Sequence, residues 1–321
     1  MQKVVGIDVS KETLAVCFSI ADKLQHLEVS NDEAGFLRLV KTCGSDSLYV
    51  MEATGAYYMH LAYYLHGQGA TIAVINPVVI KRFIQMHLGK GKSDKKDAQW
   101  IRCYGQQNEL KCWQPEEALL VECRQLEQVA EQLIKQKTMT MNALEALELQ
   151  PVKSQLALKG LKQTLKMLEK QIQQVEDELQ DNLGKLFQKE IQLLCSIPGI
   201  GKKTAGMLLL FAGGFKDMSS YRQLIAKAGL CPREYSSGSS IRGKVRITKM
   251  GGGLIRSKLF MCSFSAKKSN AACKALYERL VAKGKNGKLA LIAVCNKLLK
   301  QAFAIVKSSI PYRPNFAEIP A

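Results

Sequence analysis

Val4-Val5-Gly6-Ile7-Asp8, a short apolar run closed by a carboxylate, opens the chain, and Leu48-Tyr49-Val50-Met51-Glu52 repeats the arrangement further along. Each is too short and too apolar for an amphipathic helix, so both read as buried strands with an acid at the C-terminal end. Leu14 to Ile20 and Leu24 to Val29 give two further strands around the polar turn at Ala21-Asp22-Lys23. Ser30-Asn31-Asp32-Glu33 then supplies capping residues for a helix expected to turn Phe36, Leu37, Leu39 and Val40 inward. A helix from about Tyr57 to His66 and a strand from Thr71 to Ile75, stopped by Asn76-Pro77, complete the pattern. Three strands followed by alternating helices and strands predict an α/β unit, a mixed sheet flanked by helices.

The middle of the chain changes period. Leu119, Cys123, Leu126, Ala130 and Leu133 repeat at alternating steps of four and three. Beyond Pro151, a second seam runs through Leu158, Leu161, Leu165, Leu168, Ile172, Val175, Leu179 and Leu183. Such spacing predicts a coiled coil, and Pro151 breaks the helix into two arms. The arms either fold back as a hairpin or meet another copy, and the length of the seam favours a homo-oligomer. The expected divisions are 1–112, 113–190 and 191–321.

Charge is distributed unevenly. The formal net charge is +18 over 321 residues. Residues 1–190 carry 23 basic and 24 acidic side chains, whereas residues 191–321 carry 23 basic and only 4 acidic ones: Asp217, Glu234, Glu278 and Glu318. An excess confined to one end predicts a polyanion partner there, most simply nucleic acid. With 47% hydrophobic residues the chain is not a disordered polyelectrolyte. No run of 18 apolar residues and no secretory leader is evident, so no membrane span is expected. The ten cysteines contain no Cys-x-x-Cys pair and all four histidines precede residue 90, which predicts no zinc site and fits a reducing cytoplasm.

Three groups of residues carry chemistry. If the strands ending at Asp8 and Glu52 are neighbours, their carboxylates lie side by side. Asp94 and Asp97, spaced i, i+3, share one face of a helix starting near Ser93. Four clustered carboxylates call for a cation, and all-oxygen ligands at a strand end suit Mg²⁺, which keeps waters and takes phosphate oxygens. Taken singly, Asp8 reads equally as a turn cap and Asp94 as a helix cap. Around them, Lys90, Lys92, Lys95 and Lys96 would attract a phosphate backbone. The second group is Ser196-Ile197-Pro198-Gly199-Ile200-Gly201-Lys202-Lys203, the pattern of a helix-hairpin-helix: Gly199 and Gly201 permit a tight turn, and Lys202 and Lys203 add charge for sequence-independent backbone contacts. The third is Tyr235-Ser236-Ser237-Gly238-Ser239-Ser240, set among Arg233, Arg242, Lys244, Arg246 and Lys249. A serine there has cations available to stabilise charge at phosphorus. The residues alone do not choose among the four serines, and a flexible loop is the plainer reading.

Taken together, Gly6-Ile7-Asp8, Glu52-Ala53-Thr54-Gly55, Val74-Ile75-Asn76-Pro77, Lys92-Ser93-Asp94-Lys95-Lys96-Asp97-Ala98, Ser196 to Gly201 and Tyr235 to Gly243 occur in an order spanning nearly the whole chain. This set resembles the DEDD insertion-sequence transposases, relatives of the Piv-type DNA invertases. The resemblance implies an RNase H/RuvC-like N-terminal domain, a coiled-coil linker and a mostly α-helical C-terminal transposase domain. It implies that Asp8, Glu52, Asp94 and Asp97 bind Mg²⁺, and that Ser237, just before Gly238, attacks DNA to form a phosphoserine link. It further implies donor and target DNA as partners, guidance by a bridge RNA, and dimers that assemble into tetramers with composite sites. Two features depart from the family pattern: Thr248 replaces a usual serine before Lys249, and Met250-Gly251-Gly252-Gly253 is unusually rich in glycine.

Overall fold

The structure, a computed structural model, describes residues 3–21, 23–89, 91, 93–233, 236–237, 241–242 and 246–314, with the backbone alone at 236–237 and 241–242. The chain divides into two compact units, Met1–Glu116 and Glu117–Ala321.

In the first unit, β1 (Val4–Val9), β2 (Thr13–Ile20), β3 (Lys23–Ser30), β4 (Leu48–Glu52) and β5 (Thr71–Ile75) form one sheet in the order β3-β2-β1-β4-β5. The β1–β2 and β2–β3 pairs are antiparallel, and β1–β4 and β4–β5 are parallel. This is the RNase H/RuvC-like mixed sheet. Side chains alternate between its faces. Val5, Ile7, Val9, Tyr49 and Met51 pack with Phe36 and Leu39 of α1 (Glu33–Cys43) and Leu61 and Leu65 of α2 (Tyr58–Gly67). Val4, Val50 and Ala73 face the other way, onto Ile80 of α3 (Pro77–Met86) and Ile101 of α4 (Asp94–Gln107). Leu37, expected to turn inward, is instead 62% exposed, because the buried face of α1 runs through Phe36, Leu39 and Cys43.

The close seating of α4 on β1 has a steric cause. A β-carbon on Gly6 would lie 2.3 Å from the Ala98 carbonyl oxygen and 2.4 Å from the Arg102 nitrogen, so only glycine admits the helix backbone at that point. Ala15, Cys17 and Ala98 continue this thin layer. Arg102 is buried there, donating to the Val4 carbonyl at 3.2 Å and to Ser19 Oγ at 3.0 Å. Burial beside it pushes the Cys17 thiol up to about 11, with the Arg102 charge opposing.

The second unit begins with a helical hairpin, α5 (Ala118–Glu148) and α6 (Gln155–Cys195). The seam on α6 is filled by α5 of the same chain: Leu158, Leu168, Leu179 and Leu183 are buried, and Lys137–Glu169 (2.9 Å) and Lys162–Glu148 (3.1 Å) tie the arms together. On α5 the four-three rhythm runs past Leu133 through Lys137, Thr140, Leu144 and Leu147, none of them fully exposed. Within the chain, the two heptad seams therefore pair with each other. Beyond a kink at Phe187, α6 enters a core shared with α7 (Lys202–Ala212), α8 (Tyr221–Lys227), α9 (Gly253–Ser269), α10 (Ala271–Ala282) and α11 (Gly287–Ser308). By length and composition α11 could cross a bilayer. Its Leu291, Val294, Leu298, Leu299 and Ala302 are instead buried in that core.

Candidate functional site

Asp8 lies on β1 two residues beyond Gly6, and therefore on the same face of the sheet, the face that α4 covers. The parallel register pairs Gly6 with Val50 and Ile7 with Met51, so the next step sets Asp8 beside Glu52 on that face. The direction of α4 follows from its contacts. A β-carbon on Gly105 would meet Val50 and Val4, whereas one on Gly6 would meet Ala98 and Arg102. The helix thus runs antiparallel to β1, and its first turn arrives at the strand's C-terminal end. Two strand residues span roughly 6.6 Å, equal to about four to five residues of helix, which brings the stretch Asp94–Asp97 over Asp8. Ser93 caps this turn by accepting from the Lys96 backbone N–H at 3.4 Å. Glu52 accepts from Thr54 Oγ1 at 3.5 Å. Asp8, Glu52 and Asp97 are half-buried and Asp94 is exposed. Among the described residues, no three His, Cys, Asp or Glu side chains stand close enough to hold a metal ion unaided. Lys90 and Lys92 fall outside the described residues, and Lys95 and Lys96 are exposed on the first turn of α4.

The turn from α6 into α7 has the predicted helix-hairpin-helix form, but its residues divide their roles. Gly199 has φ +104°, and a β-carbon there would stand 2.7 Å from that of Ala266 on α9, so its glycine serves packing. Gly201, the N-cap of α7, is exposed with open space around it, and Lys202 is exposed beside it. Lys203 pairs with Glu176 of α6 at 2.6 Å. An anion approaching the α7 N-terminus therefore meets Gly201 and Lys202 first.

Between α8 and α9 the serine-bearing segment forms an antiparallel arm. Its neck is β6 (Pro232–Arg233) against β9 (Arg246–Ile247); further out, β7 (Ser236–Ser237) pairs with β8 (Ile241–Arg242), aligning Ser237 with Ile241. Ser237 thus occupies the outer pair of the arm. Gly238, Ser239, Ser240 and Lys244 lie outside the described residues. Arg233 and Arg246 are direct cross-strand partners, both exposed. Like charges placed opposite each other repel, and a bound polyanion relieves that repulsion.

A residue that sequence inspection missed closes the base of the arm. Arg256, on the first turn of α9, donates to the carbonyls of Ala228 (2.9 Å), Lys249 (3.4 Å) and Gly251. The Thr248 N–H bonds the Cys231 carbonyl at 2.9 Å, and the Lys249 N–H bonds the Gly229 carbonyl at 3.0 Å. The extra glycines of this chain fit here: Gly251 and Gly252 have φ +70° and +54°, and a β-carbon on Gly252 would meet the Ala228 backbone at 2.7 Å. Lys249, proposed from sequence as a nucleic-acid contact, adopts φ +55° with its carbonyl held by Arg256. The signal available in the sequence was one arginine among the nine basic residues from Arg222 to Lys258, which nothing local distinguishes.

Comparison with known proteins places these features in a family. Residues 5–150 match a transposase family model of the DEDD, IS110 type, and residues 191–278 match the model described as transposase IS116/IS110/IS902 family. The pilin gene-inverting protein of Moraxella lacunata is 30% identical over 321 residues, covering 96% of this chain and 97% of the relative. The chain belongs to the IS110/Piv transposase family. The pilin gene-inverting protein of Moraxella bovis matches to the same extent, and the transposase of insertion sequence IS1328 from Yersinia enterocolitica is 38% identical over 95 residues, 29% of this chain and 27% of that one. As a member of the IS110/Piv family the protein is a DNA transposase or recombinase, and DNA is its substrate.

Proposed function

We propose that this IS110/Piv-family enzyme cuts and rejoins DNA through a phosphoserine intermediate on Ser237, with Asp8, Glu52, Asp94 and Asp97 serving the same strand exchange. The observation that carries this reading is the delivery of the first turn of α4 to the sheet end bearing Asp8 and Glu52, which Gly6 alone permits. Four carboxylates and no sulfur or imidazole make a donor set suited to a hard divalent cation. Since the side chains do not close a site by themselves, phosphate oxygens and water would complete the shell around Mg²⁺. When bound, the ion would neutralise charge developing on the phosphate.

The chain's own groups supply the rest. Ser237 Oγ bonds to phosphorus as the phosphorus–oxygen bond to one DNA strand breaks; the serine gives up its proton and the departing oxygen gains one, leaving as a hydroxyl. A hydroxyl from another strand reverses these changes, so the energy of the broken linkage is conserved and no external source is needed. Arg233, Arg242 and Arg246, together with Gly201 and Lys202, bind backbone phosphates without reading bases. Guidance by a bridge RNA, assembly of dimers into tetramers, and action in the bacterial cytoplasm at the nucleoid belong to the same proposal. They are supported by the family relationship and by the basic excess confined to residues 191–321.

The experiment is a denaturing gel of labelled element-end DNA incubated with the protein and its co-purified RNA. A protein–DNA adduct is expected, absent in Ser237→Ala and retained in Ser236→Ala, with the modified peptide confirmed by mass spectrometry. Metal-dependent cleavage with free ends and no adduct would refute the serine mechanism and leave a hydrolytic nuclease.

A further inference from the structure

In the C-terminal core, two hollows of about 330 and 500 Å³ adjoin between α10, α11 and the strap that follows α11. They share Ala272, Lys297 and Lys300 as walls, so they form one groove. Its chemistry differs from end to end. One end is apolar, walled by Ile305, Ile310 and Tyr312, and is of the size of a small-ligand site. The other carries Arg279; Lys297 and Lys300 stand where the two ends meet, and Arg313 lines the apolar end on the strap side. Among the described residues, no Asp or Glu lines either hollow and none of these four cations forms an ion pair.

The groove is preorganised. Tyr312 is fixed at both ends: its backbone N–H donates to Ser196 Oγ at 2.8 Å and its phenol to Asn270 Oδ1 at 3.1 Å. Asn270 is fully buried, caps α10 through the Cys273 N–H, and is bonded to Gln301 at 3.0 Å. The ring is therefore a rigid wall. Lys300 is held over the Tyr221 ring at 5.0 Å, which limits its freedom before any ligand arrives.

An aromatic wall in an apolar recess, continuous with cations that form no ion pair among the described residues, is the combination that binds an unstacked base and its flanking phosphates. We propose that this groove holds a nucleotide from a single strand, its base against Tyr312 and its phosphodiesters along Lys297, Lys300 and Arg279. A duplex keeps its bases stacked and would offer the recess nothing. Charge complementarity selects a polyanion, and the apolar recess selects nucleic acid over an acidic peptide. Either RNA or DNA has the required chemistry.

The test measures binding by the full-length protein in the Ser237→Ala background, so its outcome is independent of strand cleavage. The probes are labelled single-stranded thymidine and uridine dodecamers and a duplex of equal length. Ala304→Trp fills the apolar end from an exposed position on α11 and should weaken single-strand binding about tenfold, with the salt dependence unchanged. Lys297→Gln with Lys300→Gln should flatten the slope of log affinity against log salt by about 1.4, the contribution of two phosphates. This second variant keeps the proposal testable if Ala304→Trp lowers the melting temperature. Duplex affinity should change less than about twofold in both. Tighter binding of uridine than of thymidine assigns the occupant to RNA, and the reverse to DNA. Equal losses for duplex and single strand, no loss in either variant, or competition by polyglutamate as effective as the thymidine strand would overturn the proposal.

Discussion

Gly6→Ala is the substitution that best probes the proposed carboxylate site. The added β-carbon would sit 2.3 Å from the Ala98 carbonyl oxygen and 2.4 Å from the Arg102 nitrogen. Both belong to the backbone of α4 and cannot rotate aside. Carbon–oxygen contacts are ordinarily no closer than about 3.3 Å, so the helix must withdraw by about 1 Å. Overpacking of this kind costs about 1–3 kcal/mol. The same displacement lifts the first turn of α4, with Asp94 and Asp97, away from Asp8 and Glu52. A misplacement of about 1 Å at a reacting centre lowers rates about a hundredfold. The assay pairs thermal melting by circular dichroism with single-turnover strand cleavage at saturating protein. Gly67→Ala in α2, where a β-carbon would meet nothing within 4 Å, serves as the control and should leave cleavage unchanged with the melting temperature equal or slightly raised. If Gly6→Ala folds with its melting temperature lowered and yet cleaves within about threefold of the parent rate, the set of Asp8, Glu52, Asp94 and Asp97 is not the reacting centre.

Arg256→Gln removes charged donors from three carbonyls at the neck of the serine arm, a loss of about 1.5–3 kcal/mol concentrated there. Hydrogen exchange at the Thr248 and Lys249 amides should accelerate while the helical core keeps its protection; unchanged exchange would show that Arg256 does not close the arm. Leu168→Ala empties a position that is 4% exposed between the hairpin arms and should cost about 2–5 kcal/mol in denaturant titrations, at any protein concentration. A loss that vanished on concentrating the protein would mean that the seam is completed by a second copy.

Much of the fold was legible in the sequence because the decisive signals are local. Strands closed by Asp8 and Glu52 show themselves as apolar runs, and the two helical arms show themselves as heptads. Periodicity fixes which face of an element is buried, but not what covers it. The seam from Leu158 to Leu183 fitted a partner chain as well as it fitted α5, and only the folded chain shows α5 in place. The same limit applied to the site. Glycine at position 6 carries no signal of its own until α4 is seen pressed against it, and the placement of Asp94 and Asp97 depends on that contact, made across more than ninety residues of chain. Arg256 was invisible for a related reason: its work is done on backbone carbonyls at Ala228, Lys249 and Gly251, which every sequence possesses. Residue type and spacing thus determined the elements, the acidic candidates and the basic half. Close approach of backbone to backbone, which has no side-chain signature, decided where α4, with Asp94 and Asp97, sits on the sheet.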